Sequence, residues 1–137
     1  GAYAFLKRKE IFCMLKSCLI VGCGGSLGAL TRYSVSMLNV VKFPLTTLFI
    51  NIIGCLLLGY LTSLVSRNKI SSQQMLLLGT GYCGGFTTFS TFASETVLLS
   101  QTSLLLAFVN MILSGLLGLL ATLVGVKLGF GKSGVSK

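Results

Sequence analysis

The sequence predicts an all-α membrane protein with four transmembrane helices, the third broken near its middle. Three observations carry this. Only 9% of the residues are charged and 53% are hydrophobic, whereas a soluble domain carries roughly a quarter charged residues. The charges bunch at the edges of long apolar runs, and a spanning helix needs about 20 such residues. One of those runs holds a stretch rich in glycine and hydroxyls, GYCGGFTTFSTF at residues 81–92. The 137 residues make a single integral membrane domain.

The first span is read over residues 12–38, after the basic Lys7-Arg8-Lys9 and with Arg32 near its far end. The basic start lacks a short apolar core with a small-residue cleavage site, so no cleavable signal peptide is expected. The second span, 44–66, is opened by Pro44, whose missing N–H costs nothing at a helix start. Between Lys69 and Lys127 the only charge is Glu95, and that length exceeds one span. The polar SQTS at 100–103 is the natural turn, giving spans 72–99 and 103–128. The 17 glycines include Gly24 and Gly28, and Gly125 and Gly129, each pair four apart. Gly54/Gly59 and Gly115/Gly118 are looser examples. Lipid gives helices no hydrophobic reason to associate, so small residues serve close backbone packing. Four thin helices do not readily enclose a polar site, and oligomerisation is expected.

Several classes are excluded. The five cysteines form no CxxC pair and there is no histidine, so zinc and haem spacing is absent. The net charge of +9 comes from residues flanking apolar runs. That pattern fits helix ends meeting anionic lipid on the cytoplasmic side, rather than nucleic acid. No nucleotide loop or catalytic dyad is present, so no enzyme is expected.

Polar groups inside a bilayer are costly and tend to line a cavity or path. Asn51 lies in the apolar LFINIIG, with Thr47 one turn earlier on the same face. It reads either as an interhelical hydrogen bond or as a donor to an anion. Asn110 and Ser114 pair similarly in the fourth span. Gly84-Gly85 is read as the helix break. Freed carbonyls there suit a hard cation such as Na⁺, and freed N–H groups suit an anion; a tolerated kink is the plain alternative. Phe86, Phe89 and Phe92 recur every three residues, along one helical face. Such stripes are commonly core or lipid-facing. Here Thr87, Thr88, Ser90 and Thr91 interleave them, and the positive edge of a phenyl ring can attract an anion. Glu95, one turn after Thr91, reads as a solvated helix end or as a mark of where the third span nears water.

On these residues the chain resembles the Fluc (CrcB-type) fluoride channel family. The likeness spans roughly residues 17–128 and rests on GGSLGALTRY at 24–33, TTLFINIIGCLLLG at 46–59 and GTGYCGGFTTFSTF at 79–92. It implies a multi-pass protein of the cell membrane, an antiparallel dimer with two fluoride pores, and passive fluoride efflux. Phe89 and Phe92 match the residues whose ring edges meet fluoride, and Asn51 the pore-lining amide. Ser90, Thr91 and Ser114 match hydroxyls of a polar track. Gly84 and Thr87 match residues whose backbone carbonyls hold a central structural Na⁺. Glu95 matches an acidic residue near a pore mouth, and Arg32 a basic residue anchoring the first helix. Asn110 stands where relatives often carry an aromatic residue or histidine.

The chemistry suits that reading. Fluoride holds water strongly, so a selective pore must be narrow and replace hydration with many donors. The alternatives are a small four-helix dual-topology exporter and a non-conducting membrane assembly subunit. The first two spans lack the buried carboxylate that a proton-coupled exporter needs. Orientation follows from charge. Lys7, Arg8, Lys9, Lys16, Arg67, Lys69, Lys127, Lys132 and Lys137 share one side, against Arg32 and Lys42 on the other, out of 11 basic residues. Both termini are therefore expected inside the cell. That bias suits a subunit inserted one way and paired with a homologous partner of opposite bias, rather than with itself.

Overall fold

The computed structural model describes residues 1–38 and 44–131. Lys42, Lys132 and Lys137, which enter the charge comparison, lie outside the described residues. The order is α1 (Ala2–Met37), α2 (Leu45–Ser66), α3 (Ser72–Met75), a π-helical stretch (Leu76–Cys83), α4 (Gly84–Phe86), α5 (Phe89–Thr102) and α6 (Leu104–Phe130). Every regular element among the described residues is helical, as the sequence predicts. Among the described residues, α1, α2 and α6 are each long and apolar enough to cross a membrane. The expected third crossing corresponds to α3 to α5 with the π-helical stretch, an interrupted series rather than one helix.

The boundaries differ from expectation in three places. The first helix starts at Ala2 rather than residue 12. Nothing in AYAFLKRKE breaks a helix; it is charge, not conformation, that leaves the bilayer there. At 36 residues α1 is about 54 Å long, well beyond a ~30 Å hydrocarbon core. The SQTS turn narrows to one residue, Ser103, whose Oγ accepts the Leu106 N–H at 3.5 Å as α6 begins. The third difference, the position of the break, belongs to the site below.

Capping marks the other starts and stops. Ser71 and Gln74 form a reciprocal capping box that opens α3. Asn68 takes φ 56° to leave α2, and Arg67 Nη1 donates to the Gly129 carbonyl at 2.7 Å near the end of α6. A cation there also opposes the negative end of the helix dipole. Along α1, the hydroxyls of Ser17, Ser26, Thr31, Ser34 and Ser36 donate to carbonyls four residues back. This satisfies them without a partner from another helix.

Glycine sets the packing. The described core holds few buried apolar side chains, Ile50, Leu61, Cys83, Phe86, Ala107 and Ala121. Instead, backbones touch. A methyl on Gly24 or Gly28 of α1 would strike the Leu77 or Tyr82 carbonyl of the π stretch. One on Gly59 or Gly125 would strike the facing carbonyl of Thr122 or Leu56 and wedge α2 from α6. Gly115 breaks the expected pattern, since nothing lies within 4 Å of its missing Cβ. Gly28→Ala is expected to destabilise the protein by about 1–3 kcal/mol or more, because backbone cannot yield as a side chain can. Gly22→Ala, with nothing within 4 Å, should be neutral or better. Thermal midpoints by size exclusion after heat steps measure both, and equal midpoints would refute this account of the α1 contact.

Candidate functional site: a cleft at the broken third crossing

The break falls at Thr87 and Thr88, not at Gly84-Gly85. Gly84 keeps helical angles (φ −62°, ψ −39°), whereas Thr87 and Thr88 are extended (ψ 155° and 122°). Gly85 serves closeness instead: a methyl there would strike the Gly25 carbonyl of α1. The wide π turns of Leu76–Cys83 precede it, and such turns concentrate at functional sites.

Breaking a helix in the bilayer strands polar backbone, which must be satisfied by protein or water. Asn51 of α2 does this. Its Oδ1 accepts the Thr88 N–H at 2.8 Å and its Nδ2 donates to the Thr88 carbonyl at 3.0 Å. The side-chain amide thus replaces a strand of backbone. Thr88 then caps α5, its Oγ1 accepting the Thr91 N–H at 3.2 Å. Arg32 Nη1 reaches the Thr87 carbonyl at 3.3 Å. The sequence reading counted Thr88 among the hydroxyls between the rings but missed its role as the cap of α5. Its signal was a hydroxyl three residues before Thr91 at a helix start.

The break leaves the carbonyls of Gly84 to Thr87 without their intrahelical N–H partners, and at Gly84 and Thr87 the diverted donor is identified. The Thr88 N–H that would bond the Gly84 carbonyl goes to Asn51, and the Thr91 N–H that would bond Thr87 goes to the Thr88 hydroxyl. Carbonyl oxygen suits a hard cation such as Na⁺. The Thr87 oxygen shares itself with Arg32 and retains a second lone pair.

Beside the break a cleft of ≈ 790 Å³ opens between α2, the broken crossing and α6. It brings together Asn51, Gly84, Thr87, Phe89, Phe92 and Ser114. The rings of Phe89 and Phe92 lie 5.8 Å apart, tilted by 51°. Phe89 is 79% exposed, so its ring meets Phe92 but leaves most of its surface open. Phe86 does not continue their line. The break turns it inward, where it is buried and stacks on Tyr82 at 6.0 Å.

The remaining residues lie apart. Thr47 is buried and donates to Glu95 Oε1 at 2.6 Å, so the two form one α2–α5 contact outside the cleft lining. Ser90 and Thr91 hydroxyls gather on that of Thr88 at 3.3 and 3.2 Å. Asn110 Nδ2 donates to Thr96 Oγ1 at 3.4 Å, joining α6 to α5. Among the described residues no three His, Cys, Asp or Glu side chains group to hold a metal.

The arrangement offers an anion three things: ring edges, hydroxyls, and first-turn N–H groups of α5 that have no intrahelical acceptor. The family described as CrcB-like protein, Camphor Resistance (CrcB), matches residues 19–126. A Pyrococcus abyssi protein named fluoride-specific ion channel FluC is 47% identical over 120 residues, 85% of this chain and 94% of that protein. A namesake from Gloeothece citriformis is 43% identical over 115 residues, 80% of this chain and 94% of its own. Fluoride-specific ion channel FluC 1 of Listeria innocua is 42% identical over 123 residues, covering 85% and 99%.

Proposed function

This chain belongs to the CrcB-like family, and from that premise we infer that it is a fluoride channel releasing the ion passively from the cytoplasm through pores completed by a second subunit. It is a multi-pass protein of the cell membrane and not an enzyme, in keeping with its relatives. The observation that carries the route is the cleft. Phe89, Phe92, Asn51 and Ser114 all line it.

The open side of that cleft and the exposed ring of Phe89 support a second copy as its cover. An antiparallel copy is the reading that the family resemblance supports. Fluoride would exchange water for ring edges and hydroxyl donors, with no Lys or Arg among the described cleft-lining residues to trap it. The amide nitrogen of Asn51 carries two N–H bonds and spends one on Thr88, which leaves one for an anion. Ser90 and Thr91 extend the hydroxyl track, and Thr47 with Glu95 forms the mouth. Two copies would offer four carbonyls, from Gly84 and Thr87, to a structural Na⁺. An experimental map with no density between the copies overturns that site.

Purified protein in liposomes should release fluoride and retain chloride. Liposomes that keep their fluoride would defeat the reading and favour a non-conducting assembly subunit. Orientation has its own test. With the five native cysteines replaced and one cysteine added at the C-terminus, an impermeant thiol reagent should label almost nothing in intact cells. A substantial labelled fraction would mean dual insertion and remove the need for a homologous partner.

A further inference from the structure

α2 and the third crossing run antiparallel in a readable register. Asn51 meets Thr88. A methyl on Gly54 would strike Thr87 Cγ2, and Leu58 Cδ1 lies 3.5 Å from the Cβ position of Gly79. In that register Cys55, four residues after Asn51, falls opposite Cys83, four residues before Thr87. Both residues line the cleft. Both are free thiols. The thioether of Met111, from α6, lines the same cleft.

We propose that Cys55 and Cys83 form a two-thiolate site in the cleft wall for a soft divalent cation of the mercuric class. Thiolates select soft metals. Two S–H bonds break, two sulfur–metal bonds form, and two protons leave to solvent. The net charge is unchanged, which matters in a low-dielectric wall; a monovalent soft ion would leave one negative charge there. Zinc is the wrong occupant, because a structural zinc site takes four ligands. Among the described residues no third His, Cys, Asp or Glu joins the pair.

The test uses the full chain with Cys13, Cys18 and Cys23, all exposed, changed to serine. Mercuric ion is titrated against a monothiol competitor, and sulfur-to-metal charge-transfer absorption is read. One ion per subunit is expected. Cys55→Ser and Cys83→Ser should each weaken binding by about 10²–10⁴-fold, the gain from tethering two ligands. Cys55 is only partly buried, so its variant remains informative if replacement of the buried Cys83 upsets folding. Single variants that bind as tightly as their parent, or two ions per subunit, would overturn the shared site. The site stands apart from the functional reading. Tight binding that leaves fluoride efflux unchanged would support it while counting against the cleft as the route.

Discussion

Phe92→Ile and Phe89→Ile are each expected to cut fluoride efflux by about tenfold or more while leaving the subunit folded. Both rings line the cleft at 5.8 Å from one another. Isoleucine preserves apolar bulk but has no quadrupole, so the positive ring edge that faces an anion is lost. A term of about 0.5–1.5 kcal/mol, typical of aromatic geometry, becomes up to tenfold in rate. A dehydrated ion in a narrow pore has no water to make up the difference, which pushes the effect upward. Phe86→Ile supplies the contrast. That ring is buried against Tyr82, so its loss should lower thermal stability before it touches rate. Normal efflux from both Phe89 and Phe92 variants would remove the rings from the mechanism.

The spans were legible because charge and apolar length are one-dimensional signals. Lys69, Glu95 and Lys127 bracket them without reference to any neighbour. The break was legible as an event but misplaced by about one turn. Gly84-Gly85 looks non-helical by propensity, yet α1 presses against Gly85 and holds it helical. What ends the helix is remote: Asn51, 37 residues away, takes the Thr88 N–H and carbonyl. No local pattern encodes that pairing. The phenylalanine stripe failed for the same reason. A spacing of three residues placed Phe86, Phe89 and Phe92 roughly on one face only if the helix ran through Thr87. Thr47 was assigned to the path from its spacing to Asn51, while its bond to Glu95 depends on how α2 meets α5. The glycines show both outcomes. Gly24 and Gly28 pack backbone to backbone, but Gly115, chosen on similar spacing, lines the open cleft.

The largest loss is expected from Asn51→Asp. The parent amide accepts from the Thr88 N–H at 2.8 Å and donates to the Thr88 carbonyl at 3.0 Å. A carboxylate keeps the first bond and turns the second into two acceptors facing each other. It also sets a negative charge in the cleft wall. At ~4 Å and an effective dielectric of ~20, like charges repel by about 4 kcal/mol. That corresponds to roughly a 10³-fold slower passage of an anion. Two companions separate charge from structure. Asn51→Ala removes both bonds without adding charge, strands the Thr88 backbone, and should cost about 1–3 kcal/mol for each buried group left unpaired. It should therefore lower the thermal midpoint more than the aspartate does. Thr47→Val breaks the contact to Glu95 at the mouth and leaves the cleft lining intact, so it should cost far less flux than either Asn51 variant. Efflux from liposomes and heat-step size exclusion on all three variants read these effects separately. An Asn51→Asp protein that conducts like the parent would mean that the amide serves only to bind the break, and that fluoride passes elsewhere.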